Sequence, residues 1–215
     1  MQKSLYSLIL TDDIVDKIDA LARERNTNRS NLINQILAEY VSFTTPEKRI
    51  NDIFNSIDGL LNAQIFNSFI EPYERTMSVK SSLEYKYRPT IKYEVELYKH
   101  ERGAIGELKV IFRTQSADLL YRLRDFFELW TRMEGIYLKN AFANKEINYS
   151  FDNGKFTRTL SYPYGETYTG EQTARAISDY IGMFDDIVKA YVAGRGNVTE
   201  MENRYLSYLN NSLII

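Results

Sequence analysis

The first forty residues alternate between apolar and polar positions with two different periods. Residues 3–10 alternate with the period of two that is typical of an extended strand. The two sides of that strand are formed by Tyr6, Leu8 and Leu10, and by Leu5, Ser7 and Ile9. After Thr11 the period changes to that of a helix, which carries an apolar stripe of Ile14, Ile18, Leu21 and Ala22. A second amphipathic helix then runs to Val41, and Asn28 immediately before it is placed to act as its N-cap. The pattern therefore predicts one strand and two helices.

A third helix is predicted from Pro46, because Thr45, Pro46 and Glu47 form a helix-start signal. Its apolar positions continue to Phe69, and Pro72 is expected to stop it. We interpret residues 46–71 as a connecting helix that packs one edge on the C-terminal domain. A parallel coiled coil between subunits is the alternative. Its seam would be Ile50, Ile53, Ile57 and Leu60.

The period returns to two after Leu83, which indicates strands. A hairpin predicted between residues 91 and 114 is followed by a long helix from Ser116. A second hairpin around Asp152-Asn153-Gly154 is followed by a helix over residues 170–192. The predicted fold class is therefore α+β, in which residues 72–215 form an antiparallel sheet with helices in ββα-ββα order. The role of this domain is open at this stage.

Composition narrows the function classes. The chain of 215 residues has a net charge of −2, no cysteine and one histidine. No catalytic motif, metal-ligand cluster or phosphate-binding loop stands out, so we expect neither enzymatic activity nor a bound cofactor or metal. No run of about 20 apolar residues suggests a membrane span, and we expect a cytoplasmic protein. Residues 1–50 carry as many acidic as basic residues, seven of each, so a basic field is absent there.

The segment Asn28-Arg29-Ser30-Asn31-Leu32-Ile33 follows the strand and first helix at a characteristic spacing. With them it makes residues 3–41 resemble the ribbon-helix-helix family of DNA-binding proteins, of the Arc, MetJ and CopG type. The resemblance implies that residues 1–45 form a module in which two chains pair their strands into a two-stranded ribbon covered by four helices. A single copy has an unpaired strand and little core, so pairing is also what physical chemistry favours.

The resemblance further implies a homodimeric, sequence-specific DNA-binding transcriptional regulator whose ribbon enters the major groove. The C-terminal domain would then sense a small-molecule effector or mediate assembly. The whole protein would be a homodimer or a higher even-numbered oligomer. The residues implied to face the bases are Lys3, Leu5, Ser7 and Ile9. The residues implied to clamp a phosphate at the start of the second helix are Asn28, Arg29 and Ser30.

The outer face of the ribbon departs from the family pattern. Leu5 and Ile9 cannot hydrogen-bond to base edges, although they can contact thymine methyl groups. Of Leu5, Ser7 and Ile9, only Ser7 has a side chain that can hydrogen-bond to a base. The alternative function is a protein-interaction or structural adaptor that uses the module only to dimerise.

Overall fold

A computed structural model describes residues 5–41, 43–61, 63–70, 75–86, 88–142 and 147–215. Within these residues the chain forms seven helices and a six-stranded sheet, which is an α+β architecture. The helices are α1 (Asp12–Glu24), α2 (Arg29–Tyr40), α3 (Pro46–Leu60), α4 (Ala117–Tyr137), α5 (Lys139–Phe142), α6 (Gly170–Val192) and α7 (Val198–Asn211). The strands are β1 (Asn67–Ile70), β2 (Thr76–Ser82), β3 (Thr90–Arg102), β4 (Ala104–Arg113), β5 (Tyr149–Asp152) and β6 (Lys155–Leu160).

Most helix starts follow from local capping. The Asn28 side chain caps α2, and the Thr45 hydroxyl accepts the Lys48 N–H at 3.1 Å at the start of α3. Full capping boxes begin α6 and α7. Thr11 precedes α1 as predicted, but its side chain makes no capping hydrogen bond. Because a capping side chain bonds to backbone N–H groups within one turn of itself, the start of a helix can be predicted from the local sequence.

The sheet has the strand order β1-β2-β3-β4-β6-β5 and is antiparallel throughout. Alternation directs one set of side chains into a single large core. That core is closed by α3, α4, α6 and α7, with α6 as its central helix. At Gly106 a Cβ atom would lie 2.1 Å from the Glu96 carbonyl oxygen, so only glycine allows β3 and β4 to approach this closely.

The predicted connecting helix over residues 46–71 is too long. Helix α3 ends at Leu60, and residues 67–70 form the edge strand β1 on β2. Apolar positions after Leu61 fit either period, and pairing with β2, the next strand along the chain, decides for the sheet.

The coiled-coil alternative is wrong, because Ile50, Ile53 and Ile57 are fully buried in the chain's own core. Helix α3 packs against α6 instead, as predicted for a helix docked on the C-terminal domain.

The alternation that begins at Leu83 predicts a strand there, but the structure places the strand before it. Strand β2 ends at Ser82, and residues 83–86 form a bend, while Tyr87 lies outside the described residues. The element order is therefore β1-β2-β3-β4-α4-α5-β5-β6-α6-α7 rather than two ββα units alone. The strands predicted around residues 91–114 and 147–162 correspond to the hairpins β3–β4 and β5–β6.

Candidate nucleic-acid interface

The structure assigns no strand to residues 5–10, the segment predicted as the N-terminal strand, and they pair with no strand among the described residues. Leu5 and Ile9 are fully exposed, Leu8 is 60% exposed, and Leu10 is half-buried. Ser7 is also exposed. Lys3, the remaining residue predicted for the base-facing side, lies outside the described residues.

Helices α1 and α2 pack on one another with a very small shared core. Within residues 5–41 the buried hydrophobic side chains are Ala22, Leu32 and Ala38, and they are separate from the large core of the sheet. Most other apolar side chains of this segment point into solvent. The large exposed ones between residues 5 and 43 are Leu5, Tyr6, Leu8, Ile9, Ile14, Leu21, Ile36, Leu37, Tyr40, Val41 and Phe43. Exposed apolar side chains in this number are typical of a surface that another molecule covers.

The start of α2 is capped by Asn28 and leaves backbone N–H groups without intrahelical partners, as helix N-termini generally do. The Asn28 Oδ1 atom accepts the Asn31 N–H at 2.9 Å. The N–H groups of Arg29 and Ser30 lie in the first turn, where a helix offers no carbonyl partner. Both residues are exposed, so these N–H groups and the positive end of the helix dipole face outward. The three predicted clamp residues thus occur together at one helix end.

Arg29 is already paired within the chain. Its Nε atom donates to Asp19 Oδ1 at 2.7 Å, and its Nη2 atom contacts the other oxygen of the same carboxylate. The hydrogen bond from Arg29 lowers the pKa of the Asp19 carboxyl, and Asp19 correspondingly raises the pKa of the Arg29 guanidinium. Asp19 was not among the residues predicted from sequence. Only the packing of α1 beside α2 brings these two residues, ten positions apart, into contact.

Neither a cluster of metal-ligating side chains nor a membrane-spanning helix occurs in the described part of the chain. No group of three or more His, Cys, Asp or Glu side chains is placed there to hold a metal ion. No helix within it is both long and apolar enough to cross a bilayer.

Residues 7–42 match the family described as ribbon-helix-helix protein, copG family. The match covers the N-terminal segment and leaves the sheet and its helices outside. No curated protein and no solved structure matches the chain.

Proposed function

From the ribbon-helix-helix segment at residues 7–42, we propose that this protein is a homodimeric, sequence-specific DNA-binding transcriptional regulator that acts in the cytoplasm. The observation that carries the proposal is the uncovered apolar surface of the strand and of helices α1 and α2. The family consists of DNA-binding regulators that act as dimers. A second copy would supply what a single chain lacks, namely a pairing strand and a cover for that surface.

Dimerisation is favoured by simple energetics. Burying an exposed Leu or Ile side chain contributes roughly 1.5–3 kcal/mol, and eleven large apolar side chains are exposed between residues 5 and 43. Pairing the two strands would also satisfy the backbone groups of residues 5–10, which form no ladder within the described chain. We propose that the paired strands and four helices form one small domain.

In this domain Leu5, Ser7 and Ile9, with Lys3, would lie on the face toward the major groove. The apolar pair would contact thymine methyl groups, and Ser7 would hydrogen-bond to a base edge. Asn28, Arg29 and Ser30 would hold a phosphate at the N-terminus of α2. Because Asp19 neutralises Arg29 and the acidic and basic residues of this segment balance, affinity would come from a few placed contacts.

The sheet domain would supply the regulatory half of the molecule. We propose that it binds a small-molecule effector or mediates assembly. Its large core is separate from the buried residues of α1 and α2, which lets DNA binding and this second role occupy different parts of the chain.

The test is a gel shift of the full-length protein on the promoter region of its own gene, over a salt series. We expect a shift that persists against competitor DNA and a log K that falls with log salt by about 0.9 per phosphate contact. Light scattering should give the mass of two chains, or of an even number. A folded dimer that retards no DNA even at low salt would refute the regulator.

The second candidate is a protein-interaction or structural adaptor. The full exposure of Leu5 and Ile9 favours it, because an apolar outer face suits a protein surface at least as well as base edges. The adaptor predicts the same dimer without DNA binding.

A further inference from the structure

One face of the six-stranded sheet packs no core and is lined by charged and hydroxyl side chains. On β3 and β4 the outer-face positions alternate with the buried ones and include the charged residues Lys92, Glu94, Glu96, Glu107 and Lys109. Tyr98 and Ile111 lie on the same face. An antiparallel sheet tolerates such a face in water, so its polarity alone carries no conclusion. The arrangement of the charges is more specific.

The strand register places like charges directly opposite each other at two positions. Lys80 on β2 is paired with Lys92 on β3, and Glu96 on β3 is paired with Glu107 on β4. Like charges at directly opposite positions destabilise a sheet. Lys109 offsets part of the acidic repulsion, because its Nζ atom lies 3.0 Å from Glu96 and 3.9 Å from Glu107. No ion-pair partner is described for Lys80 within the structure.

These two pairs belong to larger zones of opposite sign. The basic zone comprises Lys80, Lys92, Arg113 and Lys155, with Asp152 as the neighbouring acid on β5. The acidic zone comprises Glu96 and Glu107 beside Lys109. Glu94 lies between the two zones, because its carboxylate is 2.6 Å from the Nζ atom of Lys92 and 3.8 Å from that of Lys109. Lys92 and Glu96 are four residues apart on β3, which is about 13 Å along a strand. The outer face is therefore positive toward one end of the strands and negative toward the other.

We propose that this outer face binds the same face of a second copy of the chain, in a two-fold contact that places the basic zone of each copy on the acidic zone of the other. A two-fold contact brings one patch against itself, so a surface that carries both signs at separate ends is complementary to its own rotated copy. Each like-charge pair then meets a pair of opposite sign, which compensates the repulsion that Glu94 and Lys109 leave within each chain.

The charge pattern distinguishes a second copy from other occupants. A nucleic acid would be attracted by the basic zone and repelled by the acidic zone, and an acidic peptide would leave Glu96 and Glu107 uncompensated. The proposal rests in part on the proposed dimer of the N-terminal modules. Tethering two chains there raises their effective concentration to the millimolar range, about what a polar contact of this kind requires.

A proximity label on the outer face tests the contact. The chain has no cysteine, so a single Ser78→Cys substitution can be labelled with pyrene. Ser78 is paired with Glu94, between the two zones. Two labels on facing sheets should give excimer fluorescence that weakens as salt is added. The matched control is Ser207→Cys on α7, an exposed position on the helical side, where no excimer is expected.

Charge variants of the labelled protein provide the decisive comparison. Lys80→Glu with Lys92→Glu makes both zones negative, and Glu96→Lys with Glu107→Lys makes both positive. Each variant alone should associate through this face about tenfold or more weakly, because like charges then meet across the contact. An equimolar mixture of the two should recover the excimer. The glutamine versions of both variants, checked by circular dichroism, should show the same loss without recovery on mixing.

The outcomes separate this proposal from the proposed function. If the wild-type label gives no excimer while light scattering shows a dimer, the sheet contact is refuted and the N-terminal dimer stands. If the mixture fails to recover the excimer, charge complementarity between copies is refuted. If the Lys80/Lys92 variant loses DNA binding while its excimer is unchanged, the basic zone binds nucleic acid and the proposal fails.

Discussion

Two ion pairs of this protein differ in burial, and burial sets the consequence of losing one partner. Arg158 and Glu134 are both fully buried, with Nε and Oε2 atoms 2.9 Å apart. Arg158 also lies 4.4 Å from the centre of the Tyr180 ring and donates to the Ile215 main-chain oxygen. Removing one partner of such a pair leaves a charge uncompensated in the core. Arg29 and Asp19, by contrast, form an exposed pair that water screens.

The exposed pair leads to a prediction about DNA binding. Arg29→Ala should weaken binding to all sequences alike and reduce the salt slope by about one, because a phosphate contact carries no base preference. Asp19→Asn should have the opposite effect, since it removes the carboxylate that competes for the guanidinium. Asp16→Asn is the matched control, because it removes the same charge one turn away without breaking the hydrogen bond to Arg29. Filter binding over a salt series measures all three.

A change in base preference on Arg29→Ala would place Arg29 in the groove instead of on a phosphate. Equal tightening by Asp19→Asn and Asp16→Asn would mean that general charge, rather than release of Arg29, controls affinity.

The predicted N-terminal strand is the element that depends most on a second chain, because residues 5–10 pair with no strand among the described residues. A slip of one residue would exchange its two faces, so that Tyr6 and Leu8 would point toward DNA in place of Leu5 and Ile9. Its exposure decreases from Leu5 and Ile9 to Leu8 and Leu10, which is the order expected if Leu8 and Leu10 face α1 and α2. The base-facing assignment itself stays a prediction.

Aspartate substitutions in this strand test the assignment. Leu5→Asp and Ile9→Asp should leave the dimer folded and abolish DNA binding, because an outward position tolerates charge in the free protein and a carboxylate repels DNA. Leu8→Asp is the control: it should unfold the module, since burying an unpaired carboxylate costs several kcal/mol. Circular dichroism and a gel shift on each variant provide the two readouts. A folded Ile9→Asp protein with full DNA affinity would end this account of the ribbon and favour the adaptor.

Taken as a whole, the molecule has one large core rich in aromatic residues, in the sheet domain, and an N-terminal module with only a very small hydrophobic core. Tyr93, Tyr180, Tyr205 and Tyr208 lie in the core of the sheet domain, with Tyr149 packed against it. Burial, the largest cause, raises the pKa of each of these five phenols above the usual value, and nearby carboxylates add to the effect for all of them. Burial and Glu107 raise the pKa of Tyr98, on β3, to about 12.

These pKa shifts predict how the sheet domain responds to alkali. A phenol whose pKa is raised by folding stabilises the native state fully below its unfolded pKa of about 10, and this stabilisation is lost progressively as pH rises above it. The five core phenols should therefore ionise only as the domain unfolds. Absorbance at about 295 nm reports phenolate. The part of its rise that comes from these five tyrosines should coincide with the loss of the circular dichroism signal as the domain unfolds. In guanidinium chloride all 17 tyrosines should titrate in one transition near pH 10.

Complete ionisation near pH 10 with native circular dichroism would show that the core admits water. It would contradict the burial on which the prediction depends.

The sequence by itself determined the parts of the protein that depend on neighbours within a few residues. The caps at Asn28 and Thr45, the two N-terminal helices and the alternation of the two later hairpins are local signals, satisfied within a turn or across a tight loop. The tertiary structure decided where α3 ends, because β1 exists only through pairing with β2. It also decided which distant charges meet, namely Asp19 with Arg29 and Lys80 with Lys92. Such contacts depend on strand register and helix packing, to which residues far apart in sequence contribute jointly, and no local pattern encodes them.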